Sequence, residues 1–323
     1  MRTFREPRSE NLINAEATPA LMIGLGEVLW DILPSGTTFG GAPANFAYMA
    51  TVLGNRGVVA SRVCNDELGM KARRQMQELG LITSYIQVDD RHATGTAEVQ
   101  IDDDGQPTFT ISESVAWDFL EWTPAWEELA AKARAVCFGS LAQRSPVSAS
   151  TIERFLKAVP KDAVRICDIN LRAPFYDFQV VDRCLKFADI VKLNDQELLK
   201  VSALLNLGNG GEESRARRLL RTYDLRLLCL TRGPRGSLLV ASDEMVEHPG
   251  FKVKVADAVG AGDAFTACLA HHYLLGESLE VISDVANRFA SWVATQAGAT
   301  PAFDDLRLYE ILNGGTRAIG ECM

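Results

Sequence analysis

Short apolar runs alternate with amphipathic segments along almost the whole chain, and this alternation narrows the possible architectures more than any other feature. The runs Leu21–Gly26, Gly57–Ser61, Ala135–Gly139, Val164–Asp168, Asp189–Leu193 and Arg226–Thr231 read as buried strands. Between them, Pro43–Leu53, Asp66–Leu79, Ser148–Val159, Glu212–Thr222, Ala261–Leu275 and Leu279–Gln296 read as helices. Phe46, Ala50 and Leu53 recur at helical spacing behind Pro43, which suits a first turn. Asp66 can cap the second helix and Gly80 can stop it. Strands that alternate with helices imply right-handed crossovers and a mostly parallel sheet covered on both faces. The expected class is α/β, as a three-layer α/β/α domain.

Two stretches depart from this rhythm. Residues 94–101 alternate strictly, Asp102-Asp103-Asp104-Gly105 supplies a turn, and Pro107–Ile111 can return as a second strand. Val28–Leu33, a turn at Pro34-Ser35-Gly36 and Thr37–Phe39 make a second hairpin. Together they read as a small β-sheet lid, with strands from about 28–40 and 94–115, on a single main domain covering 21–323. An uncovered sheet of this size is marginal alone, so an apolar lid face points to a homodimer through the lid. Residues 1–20 are polar, carry both charge signs and lack the apolar stretch of a signal peptide, so a disordered leader is expected.

The remaining composition mainly excludes. Net charge is −9 with no dense Lys/Arg field, which disfavours nucleic acid and anionic membranes as partners. No apolar run is long enough to span a membrane. The seven cysteines are odd in number, scattered and without a CxxC pair, so neither a disulfide framework nor a zinc site is expected. A reducing, cytoplasmic location follows.

The motif richest in chemistry is Asp257-Ala258-Val259-Gly260-Ala261-Gly262-Asp263-Ala264-Phe265, which leads into an apolar helix. Small residues there leave the first helical N–H groups open, and with the helix dipole these form an anion site. Asp263 beside such a site is either an ordinary helix cap or a working carboxylate. A carboxylate next to an anion cradle is what phosphoryl transfer to an alcohol needs. Phe39-Gly40-Gly41-Ala42-Pro43-Ala44-Asn45 brings paired glycines and an amide to another helix start, and Asp31 interrupts an apolar strand. Short acceptors and amides of this kind suit a polyol, although a glycine turn and a surface carboxylate would read the same way. Polar residues also collect at the carboxyl ends of strands: Asp168, Asn170 and Arg172; Asn194 and Glu197; Thr231 with Gly233 and Gly236. Any one of these serves equally as a helix cap, Asn194 among them. Several on one edge mark the crevice where open parallel sheets bind ligands. No GxxxxGK[ST] phosphate loop is present, and Gly24-Leu25-Gly26 is only a fragment of a dinucleotide fingerprint, with Leu29 in the third glycine's place.

Eight motifs in this order, GEVLWD (26–31), GGAPANFA (40–47), VCNDELG (63–69), VAWDF (115–119), DINLR (168–172), NDQE (194–197), TRGPRG (231–236) and DAVGAGDAF (257–265), resemble the ribokinase-like (PfkB) carbohydrate kinases, and among them the fructokinases. The resemblance implies a ribokinase-like fold with a β-sheet lid. It implies that Asp263 is the catalytic base and that the amides of Gly260, Ala261 and Gly262 form the anion hole. Asp31, Gly40, Gly41, Asn45 and Glu98 would hold the sugar, with Arg172 near the sugar or the moving phosphate. Asp168, Asn170, Asn194 and Glu197 would serve the nucleotide and its Mg2+, and Thr231, Gly233, Gly236 and Asn287 would line the nucleotide. Asp257 and the carbonyls of Val259, Val293, Gly298 and Ala302 would bind a monovalent cation such as K+. Two departures stand out. Ala258 replaces the family's usual Thr and removes a hydroxyl from the cation region, and Cys64 stands where Gly is common.

The expected activity is ATP-dependent phosphorylation of a ketohexose, D-fructose to fructose 6-phosphate. The alternatives are a kinase for ribose, another ketose, a nucleoside or 2-keto-3-deoxygluconate, and a non-catalytic sugar-binding regulator on the same fold. Residues 94–111 contain no Lys or Arg, which argues against the acidic sugar.

Overall fold

The structure, a computed structural model, describes residues 18–33, 36–101 and 107–314. The expected leader up to residue 17 and the turns at Pro34-Ser35 and Asp102–Gly105 lie outside the described residues. The first part of the chain comprises β1 (Leu21–Leu25), β2 (Leu29–Leu33), β3 (Gly36–Gly40), α1 (Ala42–Val52), β4 (Arg56–Cys64), α2 (Glu67–Glu78), β5 (Ile86–Asp89), β6 (Gly95–Ile101) and β7 (Pro107–Ile111). The middle follows with α3 (Pro124–Ala131), β8 (Ala135–Gly139), α4 (Pro146–Ala158), β9 (Val164–Asp168), α5 (Phe178–Phe187), β10 (Ile190–Asn194), α6 (Asp195–Leu204) and α7 (Glu212–Thr222). The last part holds β11 (Leu227–Thr231), β12 (Ser237–Val240), β13 (Met245–His248), α8 (Ala261–Leu274), α9 (Leu279–Ala294) and α10 (Asp305–Leu312).

Nine strands form one sheet in the order β13-β12-β11-β10-β9-β8-β1-β4-β5. Pairing is parallel from β11 through to β5, as the crossover rhythm requires. Only β12 runs against the others, pairing antiparallel with both β11 and β13, because the tight turn around Gly233–Arg235 sends the chain straight back alongside β11. The two-residue period of each strand sorts its side chains between two cores. Ile23, Leu25, Val136 and Phe138 face one, where Trp126, Phe155, Val181 and Leu219 bring in α3, α4, α5 and α7. Met22, Val59, Ala135 and Cys137 face the other, beneath Phe46, Phe265 and Phe289 of α1, α8 and α9. A three-layer α/β/α arrangement results. All six described cysteines are free, five of them buried. No helix among the described residues is long and apolar enough to cross a membrane.

The lid is a separate sheet in the order β3-β2-β6-β7, with β2 and β6 parallel and the outer pairs antiparallel. Ile32 and Leu33 are half-buried, and part of the lid's apolar surface is covered from within the chain. Trp30 and Phe39 are buried and meet edge to face at 5.5 Å. The Trp30 indole N–H donates to the Leu68 carbonyl on α2 at 2.9 Å, and the Lys71 ammonium lies 4.4 Å from its ring. A neighbouring helix of the same chain therefore covers what an isolated hairpin would leave open.

Phe155 stands between two indoles, 5.7 Å from Trp126 and 6.2 Å from Trp122, and has no exposed surface. We expect Phe155→Ala to lower stability by about 3–5 kcal/mol, read from urea unfolding. A loss under about 1 kcal/mol would contradict this packing.

Candidate active site

Two helix N-termini meet at the carboxyl edge of the sheet, and neither carries a side-chain cap. By contrast α2, α3, α5, α6, α9 and α10 are capped by Asp66, Thr123, Asp177, Asn194, Ser278 and Asp304. At the start of α8, Gly260 takes a left-handed conformation (φ 78°), and a Cβ there would lie 2.6 Å from the Ala299 Cα. The first helical amide, that of Ala261, turns back onto the Ala258 carbonyl at 3.3 Å, and Ala264 is the first to bond within the helix, to Gly260 at 2.8 Å. Ala261 is therefore not an open donor, whereas no described contact engages the N–H groups of Gly260, Gly262 and Asp263.

Asp263 occupies the first turn of α8 and is not the cap. Its carboxylate is half-buried and accepts a hydrogen bond of 2.7 Å from the Asn45 amide on α1. Burial, reinforced by the charge on Asp168, pushes its pKa up to about 6, against the Asn45 hydrogen bond and the cations Lys192 and Arg172. Asn45 is buried, and its other end, Oδ1, has no protein partner. An orphaned acceptor beside a carboxylate fits an incoming hydroxyl.

The lid supplies Asp31 from β2. Gly40 makes room for it, since a Cβ at Gly40 would lie 2.6 Å from its carboxylate oxygen. Burial raises the Asp31 pKa, opposed by Arg172. Arg172 itself is exposed, and its charge also reaches Glu27 and Asp263. Glu98 is not part of this group. In the parallel β2–β6 register Asp31 pairs with Ala97 and Ile32 with Glu98, so the two acids stand on opposite faces of the lid.

Other expected residues are already engaged. Glu197 is buried, with its carboxylate accepting from the backbone N–H groups of Leu171 (2.9 Å) and Asn194 (2.8 Å). Asn194 in turn accepts from Glu197 N at 2.8 Å, a reciprocal helix cap. Asn287 uses both amide protons on Ser237 and Ser283, and so ties α9 to β12. Gly236 is buried, its φ of 79° serving the turn into β12. Thr231 and Gly233 remain accessible at the end of β11.

Among the described residues no three His, Cys, Asp or Glu side chains gather to hold a metal, and both oxygens of Glu197 accept backbone N–H groups. Around Asp257 the loops do come together: its carboxylate accepts from Val259 N (3.0 Å) and Gly298 N (3.1 Å), and Ala256 N reaches the Ala294 carbonyl at 2.9 Å. Both of its oxygens thus already accept backbone N–H groups, as those of Glu197 do. No contact joins the exposed Ala302 to this group.

Two residues escaped the sequence reading. Lys192 sits mid-strand in β10, paired in register with Asp168 on β9, and its ammonium lies 3.0 Å from both Asp168 oxygens. Asp168 also accepts from Thr266 on α8 at 3.0 Å, so it belongs to an internal cluster and is not free for nucleotide. A cation inside the apolar run Ile190-Val191-Lys192-Leu193 was the available signal. Glu27 is buried with Oε2 unpartnered, and burial raises its pKa to about 7. With Asp168, Asn170 and Ser140 it lines a cavity of about 10 Å³, room for one water. A cavity of about 640 Å³ lies elsewhere, around Leu53, His271 and Tyr309.

Residues 35–306 match a family described as pfkB family carbohydrate kinase. Over 257 residues the chain is 31% identical to a fructokinase of Salmonella typhimurium, spanning 76% of this chain and 81% of that protein. Among solved structures, fructokinase from Xylella fastidiosa with bound ATP gives a TM-score of 0.79 at 21% identity, covering 92% of this chain and 99% of that one. A 2-dehydro-3-deoxygluconokinase from Thermotoga maritima gives 0.77 at 18%, covering 91% and 100%. At such identities the structural likeness speaks for the fold.

The raised pKa of Asp263 sets a sign for stability. Folded protein binds this proton more tightly than unfolded chain, so folding loses support as pH climbs from about 4 to about 6 and stays level above. We expect Asp263→Asn to melt higher than wild type above pH 6, with the gap closing towards pH 4. A constant gap across that range would contradict the burial of this carboxylate.

Proposed function

Because this chain belongs to the pfkB family of carbohydrate kinases, we propose that it transfers the γ-phosphoryl group of ATP to a primary hydroxyl of a ketohexose, D-fructose to fructose 6-phosphate. The observation that carries the reading is the Asn45–Asp263 hydrogen bond beside two uncapped helix starts. The Asp263 carboxylate, an unpartnered acceptor and open amide donors lie within one group, which supports reading Asp263 as the base.

Asp31 and the free Oδ1 of Asn45 hold sugar hydroxyls. Arg172, exposed among three acids, answers the added negative charge of the nucleotide or the phosphorylated sugar. Asp263 accepts the hydroxyl proton as the sugar oxygen bonds to the γ-phosphorus, and the bond to the ADP oxygen breaks with its electron pair leaving on ADP. The N–H groups of Gly262 and Asp263, at the positive end of α8, stabilise charge on the moving group. Closure of the lid excludes water that would otherwise accept the phosphoryl group. Thr231 and Gly233 lie where the nucleotide would run. Mg2+ enters as the MgATP complex, held by phosphates and water. K+ at Asp257 would support the loop preceding the anion cradle. Cytoplasmic residence fits the free thiols.

A coupled ADP-release assay over fructose, ribose, other ketoses, a nucleoside and 2-keto-3-deoxygluconate, with and without K+, tests the substrate. Fructose should turn over fastest, and a preference for another acceptor would move the substrate while leaving the chemistry. Asp263→Asn should retain the fold and lose about 10²–10⁴-fold in turnover. Turnover should also fall below about pH 6 as Asp263 takes up its proton.

A homodimer through the lid belongs to the same reading. It now rests on the edge strands β3 and β7, which pair with no further strand among the described residues. Sedimentation at micromolar concentration should give a dimer, and a monomer would remove this part of the proposal.

A further inference from the structure

We propose that Lys192 is a catalytic residue whose ammonium donates a hydrogen bond to a non-bridging oxygen of the phosphoryl group in flight, with Asp168 as the positioning residue that aims it. The proposal rests on the phosphoryl-transfer reading and adds a charge which that reading leaves out.

A lysine in the middle of a buried strand is costly unless paired. The pairing here is good: both Asp168 oxygens stand 3.0 Å from Nζ, and Thr266 steadies one of them at 3.0 Å. A purely structural ion pair would close on itself, and this one does not. The ammonium has three protons and the two Asp168 contacts use two of them. The side chain keeps 11% of its surface exposed.

The direction of the remaining face is set by Gly262. A Cβ built on Gly262 would lie 2.8 Å from Lys192 Nζ, closer than side-chain carbons approach a neighbour. Gly262 is helical, so no left-handed turn demands glycine there. What its missing side chain does is let the ammonium stand against the first turn of α8, beside the open N–H groups of Gly262 and Asp263. Burial opposes the charge, yet Asp168, Glu197 and Asp263 together hold the lysine above its ordinary range, so it remains a cation through neutral pH.

In the reaction Lys192 neither gains nor loses a proton. The hydroxyl proton goes to Asp263, the new bond joins the sugar oxygen to phosphorus, and ADP leaves with the electron pair. Lys192 strengthens its hydrogen bond as negative charge gathers on the phosphoryl oxygens.

The test compares wild type, Lys192→Met, Asp168→Asn and the double variant. We expect Lys192→Met to lose about 10²–10³-fold in turnover, with sugar KM within about threefold. By calorimetry in Mg2+ buffer, its affinity for AMP-PNP should fall about tenfold more than its affinity for ADP. Asp168→Asn should lose less, and the double variant should match Lys192→Met within about threefold, because Asp168 acts through Lys192. The double variant carries no unpaired buried charge and so serves as the folding control. Recovery of turnover in the double variant, or near-normal turnover in Lys192→Met, would overturn the proposal and leave a structural pair. If wild type phosphorylates nothing in the panel, the transfer reading fails by itself. The comparison of AMP-PNP with ADP then still decides for or against Lys192.

Discussion

The hydrogen bond between the Asn45 amide and the Asp263 carboxylate holds together parts of the chain 218 residues apart. It joins the first turns of α1 and α8, the two helices that lie side by side on one face of the sheet. Asn45 is buried and offers two donors and one acceptor. Engaging Asp263 through nitrogen fixes the orientation of the whole amide and points its oxygen away from the carboxylate. The same contact keeps Asp263 from drifting onto the amides of its own helix, where it would act as an ordinary cap and close the anion cradle. Under the proposed transfer, alcohol recognition and phosphate recognition would meet through this one pair of atoms.

Around that contact acids and cations are interleaved. Asp31, Glu27, Asp168 and Asp263 crowd one region, and burial lifts three of their pKa values. Arg172 and Lys192 oppose them from different sides, one exposed and one buried. A site arranged this way tolerates an arriving polyanion because two cations are in place. It also keeps a carboxylate basic enough to accept a proton near neutrality.

Much of this was legible because hydrophobic period decides layer membership. Val164–Asp168 and Ala135–Gly139 form with the boundaries read from apolar runs, as does the helix Glu212–Thr222. The lid was legible from strict alternation at 94–101. Other elements left weaker traces. Pro124–Ala131 and Asp305–Leu312 have eight residues each, too few turns for a periodic pattern, and Met245–His248 is a polar edge strand. In the site, Asp31, Asn45 and Asp263 could be placed because polar residues stood out against small or apolar neighbours. Glu98 was misplaced because alternation gives two faces without saying which turns inward. Glu197 matches a motif position and Asn287 an expected nucleotide-lining position, yet both satisfy backbone and hydroxyl groups, a use that only the packing reveals. Lys192 was missed because its partner lies 24 residues away on another strand.

The lid strand β2 follows β1 after only Gly26, Glu27 and Val28. Asp31 therefore rides on the lid itself, six positions beyond the last residue of a central strand. If Asp31 holds the acceptor as proposed, a change in hinge stiffness would alter how it meets that ligand, and a change of ligand would alter how firmly the lid shuts. Discrimination and gating are in this sense a single inherited trait. Laboratory selection for a new acceptor should collect its substitutions in the same short stretch that sets the rate of opening.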